Sequence, residues 1–234
     1  MSMKLSTHRR DSRVAAALLG VAAILAACTT SVAGRPVAAD GHPPLPSGSA
    51  TKPVPAPISA SDLLLRDGDK TPLGPAASAP VGDTFFTSAR PPECTAAVLF
   101  KHSPLRPAGS SDHAESAYNF GRTAIYAESA DVYVKTLNPH DVVWDGFGAV
   151  SKCNGDAVGV APAGEFGPMR LRQFSVPPDG VLAWTMTAPT QTCDYGLVVV
   201  PRAALVLAAC YVEGTFDMTE WATKRREQIM SRAA

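Results

Sequence analysis

Apolar and polar positions divide the chain into three stretches. Residues 14–27, Val-Ala-Ala-Ala-Leu-Leu-Gly-Val-Ala-Ala-Ile-Leu-Ala-Ala, form an uncharged apolar run. Residues 29–57 show no periodicity and no aromatic residue. From Ile58 the pattern turns periodic. Ser61-Asp62-Leu63-Leu64-Leu65 predicts a short helical turn capped by Ser61. Pro91-Pro92-Glu93-Cys94 leading into Thr95–Leu99 predicts a second, opening on proline as first turns tolerate. Residues 122–127 and 131–136 predict strands; in the latter Val132 and Val134 alternate with Asp131, Tyr133 and Lys135. Asn138-Pro139-His140-Asp141 is a helix start, with Asn as cap and an acid in the first turn. Val143, Phe147 and Val150 then share one helical face ending near Cys153. Strands are expected at 169–175, 181–188, 194–200 and 204–211, the last two flanking Pro201-Arg202-Ala203. A closing helix over 218–232 has Asp217 as cap and Glu220 placed for a capping box, with Met218, Trp221, Ala222, Arg225 and Ile229 on one face. Strands in the middle with helices around them, and no βαβ alternation, predict an α+β fold with a twisted, mainly antiparallel sheet and flanking helices.

Charge clarifies the first stretch. Lys4, Arg9, Arg10 and Arg13 against Asp11 put +3 on the first thirteen residues, leaving 17 cations and 20 anions, −3, for the rest. A basic start, a short apolar core and small residues at its exit describe a secretory signal over 1–27. Its fourteen residues fall short of the about 20 that a spanning helix needs. Leu25-Ala26-Ala27-Cys28 resembles a bacterial lipobox, in which the cysteine thiol takes a diacylglyceryl group and the chain is cut before it. Lipidation at Cys28, with palmitate-type acyl chains, would hold the protein on the outer side of the cell membrane, stably once two or three chains are attached. Residues 28–57 then form the lipidated N-terminus and a linker. Seven prolines among Ala, Gly, Ser and Thr favour an extended spacer over a packed core. The folded domain is expected over 58–234.

Removing Cys28 leaves Cys94, Cys153, Cys193 and Cys210, an even number in an exported domain, which predicts two disulfides. None has the close spacing usual in structural zinc sites. Folding 194–200 onto 204–211 through a two-residue turn at Pro201-Arg202 sets Cys193 opposite Cys210, at a separation a disulfide can bridge. Cys94–Cys153 is the remaining pair.

Together these features resemble the PknH-like extracellular sensor domain family, found on a mycobacterial kinase and alone in mycobacterial lipoproteins. The matching residues are Asp62-Leu63-Leu64-Leu65 after a Pro-rich stretch, Pro92-Glu93-Cys94-Thr95-Ala96-Ala97, the strand into Val134, the helix ending at Cys153, Cys193, Ala209-Cys210, and a last helix carrying Ala222, Arg226 and Ile229. The resemblance spans about residues 58–232, with cysteine order its most specific part. It implies a twisted antiparallel sheet, two disulfides and a ligand-binding groove. It carries over no catalytic residue, and a lipid-held copy would need a partner in order to signal.

Other chemistry is sparse. Ser103, Ser110, Ser111, Asp112 and His113 invite a hydrolase reading, but there is no G-x-S-x-G elbow and residues 110–113 read as a polar loop. The histidines at 8, 42, 102, 113 and 140 have no metal-ligand spacing. Asn154-Gly155 reads as a turn, and Lys224-Arg225-Arg226 as a solvated helix face. Trp184, Phe174 and Tyr195 read as core, with a groove on the sheet as the alternative. The near-neutral domain excludes a nucleic-acid binder built on bulk positive charge. The expectation is therefore a monomeric, non-enzymatic, sensor-like binding domain of a cell-envelope lipoprotein, using no cofactor or metal. It would take a small molecule, lipid or envelope component at residues the sequence does not name. The alternative is a protein-interaction module acting on a membrane partner such as a receptor kinase.

Overall fold

The computed structural model describes residues 58–121, 124–176 and 180–233, so the signal sequence, Cys28 and the linker lie outside the described residues. The chain opens with helix α1 (Ala60–Leu63) and a small hairpin, β1 (Lys70–Thr71) with β2 (Gly74–Pro75). Short strands β3 (Ser78–Ala79) and β4 (Ser88–Arg90) follow, then a 3-10 turn at Pro92–Cys94 running into α2 (Thr95–Val98). Strands β5 (Asp112–Phe120) and β6 (Ala124–Val132) lead to α3 (Pro139–Val150). A meander of β7 (Ala157–Ala161), β8 (Gly164–Ser175), β9 (Val181–Ala188), β10 (Gln191–Val200) and β11 (Ala203–Tyr211) precedes α4 (Met218–Ala233).

Among the described residues, nine strands form one antiparallel sheet in the order β3-β5-β6-β11-β10-β9-β8-β7-β4. Its centre, β10 and β11, is buried on both faces, because residues such as Leu197, Val198, Val199 and Val200 are apolar without alternation. Alternate side chains feed two cores. Leu197, Val199, Val206 and Trp184 pack under α2 and α3. Val198, Val200, Leu205 and Leu207 pack with Trp221, Ala222 and Ile229 of α4, beside α1. Burying each aliphatic side chain contributes about 1.5–3 kcal/mol. Gly146 lets α3 lie close: a Cβ there would sit 3.0 Å from a Leu197 methyl.

Local signals hold where they are strong. Asn138 caps α3, accepting from the His140 amide at 3.2 Å, and Asp217 caps α4, accepting from the Glu220 amide at 2.9 Å. β10 and β11 pair with Cys193 opposite Cys210, and both disulfides, Cys94–Cys153 and Cys193–Cys210, are formed.

Other expectations are corrected. The cap position of α1 is Ser59, not Ser61, and its hydroxyl bonds Asp112 at 3.1 Å and the Ser61 hydroxyl at 2.9 Å rather than a backbone amide of the helix. Of the expected strand over 131–136 only Asp131 and Val132 are extended, as the end of β6, which runs unbroken from Ala124 to Val132; Val134 lies beyond it, 74% exposed. Residues from Asp112 onward are strand β5, not a loop. β8 begins five residues earlier than expected, at Gly164. Of the run Lys224-Arg225-Arg226, Arg225 is fully buried rather than solvated. Its guanidinium grips Glu128 through Nε at 2.7 Å and Nη2 at 3.0 Å, and Nη2 also donates to the Leu63 carbonyl at 2.6 Å. Glu128 accepts further bonds from Tyr126 Oη at 2.6 Å and the Leu65 amide at 3.1 Å, so the buried charges are fully partnered and tie α1 and α4 to β6.

A candidate ligand-binding cavity

The α2/α3 face is incompletely filled. Where β6 starts, β11 ends and β10 starts, a cavity of about 320 Å³ remains, at the lower end of the small-molecule range. Its floor is sheet: Ile125, Ala208, Cys210 and Tyr195. Its walls are aromatic. Phe85 and Phe86 come from the segment before β4, Phe100 follows α2, and Phe166 lies on β8. Phe85 and Phe100 meet edge to face at 4.6 Å between centroids, and Phe86 stacks on Phe166 at 6.1 Å. Gly159 on β7 makes room for Phe86, since a Cβ there would approach its ring to 2.7 Å. Polar groups reach the cavity at Thr84, Glu165 and Gln191; Thr84 and Glu165 are exposed, and Arg90 pairs with Glu165. The space is thus an apolar chamber with a few polar groups at its exposed side, suited to an apolar or amphiphilic ligand.

Each anticipated residue has a definite place. Tyr195 lines the cavity. Trp184 stacks behind it at 5.5 Å, nearly parallel, fully buried, and donates from Nε1 to the Ala97 carbonyl at 2.8 Å: a core residue. Phe174 lies elsewhere, against Phe147 of α3. Four of the five groups of the hydrolase reading, those of Ser103, Ser111, Asp112 and His113, serve structure. Ser103 Oγ accepts from the Leu105 amide at 3.3 Å, and Ser111 donates to the Val132 carbonyl at 3.0 Å. Asp112 accepts from the Ala60 amide at 2.7 Å, which holds its carboxyl below the usual range. His113 lies 3.2 Å from Asp131, whose carboxylate Arg106 grips with two 2.6 Å bonds. The phenylalanines at 85, 86, 100 and 166 were not anticipated. They lie on separate segments with no shared period, and only the folded chain brings them together.

A second, polar hollow of about 440 Å³ lies at the start of α4, beside Gln173, Ser175, Asp194 and Asp217. Asp194 is buried and accepts from Thr185 Oγ1 and from Tyr211 Oη at 2.6 Å. Burial pushes its carboxyl above the usual range, against those two bonds.

The sheet and its helices define the class. The fold matches the crystal structure of the extracellular domain of PknH from Mycobacterium tuberculosis, with a TM-score of 0.57 over 75% of this chain and 98% of that one, at 15% identity. The chain is also 58% identical over 217 residues to "Putative lipoprotein LprH" of Mycobacterium tuberculosis and of Mycobacterium bovis, covering 93% of each chain. It belongs to the LprH family of mycobacterial lipoproteins. No family model matches it.

Proposed function

We propose that the protein is exported, loses residues 1–27, is acylated on Cys28 and stands on the outer side of the cell membrane. There its domain from Ile58 onward captures an apolar small molecule or lipid without catalysing a reaction. The observation that carries this reading is the aromatic-walled cavity beside the Cys193–Cys210 bridge. The lipoprotein family and the sensor-domain fold support the anchor and the binding role. The polar groups of Ser103, Ser111 and Asp112 are taken up by structural partners, which favours binding over catalysis. A second reading, contact with a membrane protein partner, rests on Trp144 of α3, half-exposed at the end of an aromatic row through Phe147 to Phe174.

Native mass spectrometry of the acylated chain after gentle extraction tests the binding role. A co-purifying mass is expected for the parent and not for Ala208→Leu, whose added methyls would occupy the cavity floor. The same mass on both places the ligand elsewhere, and no mass on the parent counts against this reading. The anchor is tested separately by metabolic labelling with a lipid precursor: Cys28→Ser is expected to lose the label, and undiminished label would refute acylation at this residue.

A further inference from the structure

The polar hollow lies where α4 stops short of the sheet it covers. Met218, the first residue of α4, sits over Gly196, where a Cβ would stand 3.1 Å from the Met218 sulfur. Asp194 is two residues back along β10, about 6.6 Å at the usual rise, and so lies just past the helix end. Asp194 stands opposite Thr185, and Thr185 opposite Gln173, so the three form a row on one face. Ala209, opposite Asp194 on the other side, packs in the α4 core, which identifies that face. The row and Ser175 floor the hollow of about 440 Å³, and Thr215, Asp217 and Thr219 stand at its side. Contact with water accounts for an exposed Gln173 but not for Asp194, which is 4% exposed. Its carboxylate accepts from two neutral hydroxyls, those of Thr185 and Tyr211, and among the described residues no Lys, Arg or His lines the hollow. A carboxylate offers about four acceptor positions, so two remain for a guest. Asp217 is engaged as the cap of α4 by the Glu220 amide, so the hollow does not present two free carboxylates to a cation. It presents mostly hydroxyls and an amide, which both donate and accept.

We propose that this hollow is a second binding site, for a neutral polyhydroxylated ligand, a sugar ring. Every sugar hydroxyl is both donor and acceptor, as are the hydroxyls and amide that meet it here. The two open acceptor positions of Asp194 suit a pair of neighbouring hydroxyls, and Phe216 and Met218 supply apolar surface for the C–H face of the ring. The volume is within the small-molecule range. Asp194 and Tyr195 are successive on β10 and point to opposite faces, so the sugar site and the apolar cavity lie back to back across the sheet. Neither needs the other to be filled.

The test uses the full chain in micelles of a phosphocholine detergent, which has no sugar headgroup. Saturation-transfer NMR is read from the methyl glycosides of glucose, galactose, mannose and arabinose, titrated one at a time, with empty micelles subtracted. Transfer is expected for at least one glycoside. Gln173→Ala, at an exposed position that leaves the core untouched, should weaken binding about fivefold, and the isosteric Asp194→Asn about tenfold. Ala208→Leu, which fills the apolar cavity on the other face, should bind like the parent. Transfer no greater than from empty micelles for all four glycosides, or transfer that neither Gln173→Ala nor Asp194→Asn lowers, overturns the site. Transfer lost in Ala208→Leu places the sugar in the apolar cavity and overturns it too. Propylammonium, titrated in parallel, overturns the ligand class if it binds where no glycoside does. The ligand of the apolar cavity is read separately, by the co-purifying mass, so failure of one reading leaves the other standing.

Discussion

The two faces of the central sheet solve the same packing problem differently. Under α1 and α4 every polar group of the Glu128–Arg225–Tyr126 cluster has a partner, and Trp221 closes over it, donating to Tyr126 Oη at 2.9 Å. Under α2 and α3 the cover is shorter. α2 is four residues long, α3 lies mainly over β9 and β10, and phenylalanines from β8, from the segment before β4 and from the end of α2 span what remains. The first face is locked by directional bonds at stated positions. The second is held mainly by shape, by one bond from Trp184 to the Ala97 carbonyl and by the Cys94–Cys153 bridge, which ties the lead-in of α2 to the end of α3. A face built on hydrogen-bonded charges has little latitude, whereas one walled by phenylalanines can hold a guest at small cost, because ring contacts are individually weak and non-directional.

The largest expected effect comes from breaking the locked face. Glu128→Gln leaves Arg225 charged, fully buried and short of its counter-ion, which costs about 3–5 kcal/mol. The double variant Glu128→Met/Arg225→Met removes both charges and should recover most of that loss, since replacing a buried pair with apolar volume is often neutral. Urea unfolding of parent, single and double variants measures it. A single variant as stable as the parent would show that the pair contributes nothing to this face.

Next comes the contrast between the two bridges. Cys94–Cys153 closes a separation of 59 residues and Cys193–Cys210 one of 17. Chain entropy assigns them about 4 and about 3 kcal/mol. The shorter bridge also joins strands already held by ladder bonds, while the longer one docks two elements of the cavity face. Cys94→Ala/Cys153→Ala should therefore lower the melting temperature more than Cys193→Ala/Cys210→Ala, by about 2–4 °C. Equal shifts would mean that α2 and α3 are held by packing alone.

This contrast also shows what the sequence could reveal. The Cys193–Cys210 pairing was legible because a two-residue turn fixes register over both strands, and α3 and α4 were legible because their caps and 3.6-residue period are local. β5 was not, because Asp112 and His113 read as loop until their distant partners are known: Ala60 for the first and Asp131 for the second. Arg225 read as solvated for the same reason, with its counter-ion 97 residues away. The cavity was least legible. Its phenylalanines carry no polar signature, and their convergence depends on how β7, β8 and the segment before β4 fold back over the sheet.

The smallest expected effect distinguishes two carboxylates that bond to neighbours in opposite settings. Asp112, open to solvent, is held low by the Ala60 amide, whereas Asp194, buried beside the polar hollow, is held high by desolvation despite bonds from Thr185 and Tyr211. The signs of their pH linkage differ. A carboxyl whose folded pKa is raised binds more protons in the folded state, so its contribution to stability is fullest at low pH and declines as pH rises from about 4 through the raised value. One whose folded pKa is lowered contributes above about pH 4 and loses that contribution as pH falls through the lowered value. Relative to Asp194→Asn, the parent should therefore lose stability as pH rises from about 4 through the raised value. Relative to Asp112→Asn, it should gain stability as pH rises through about 4 and then stay level. Thermal melts of the three proteins at matched ionic strength across this range decide it. Parallel curves for parent and Asp194→Asn would show that the carboxyl titrates normally and that water reaches it through the hollow.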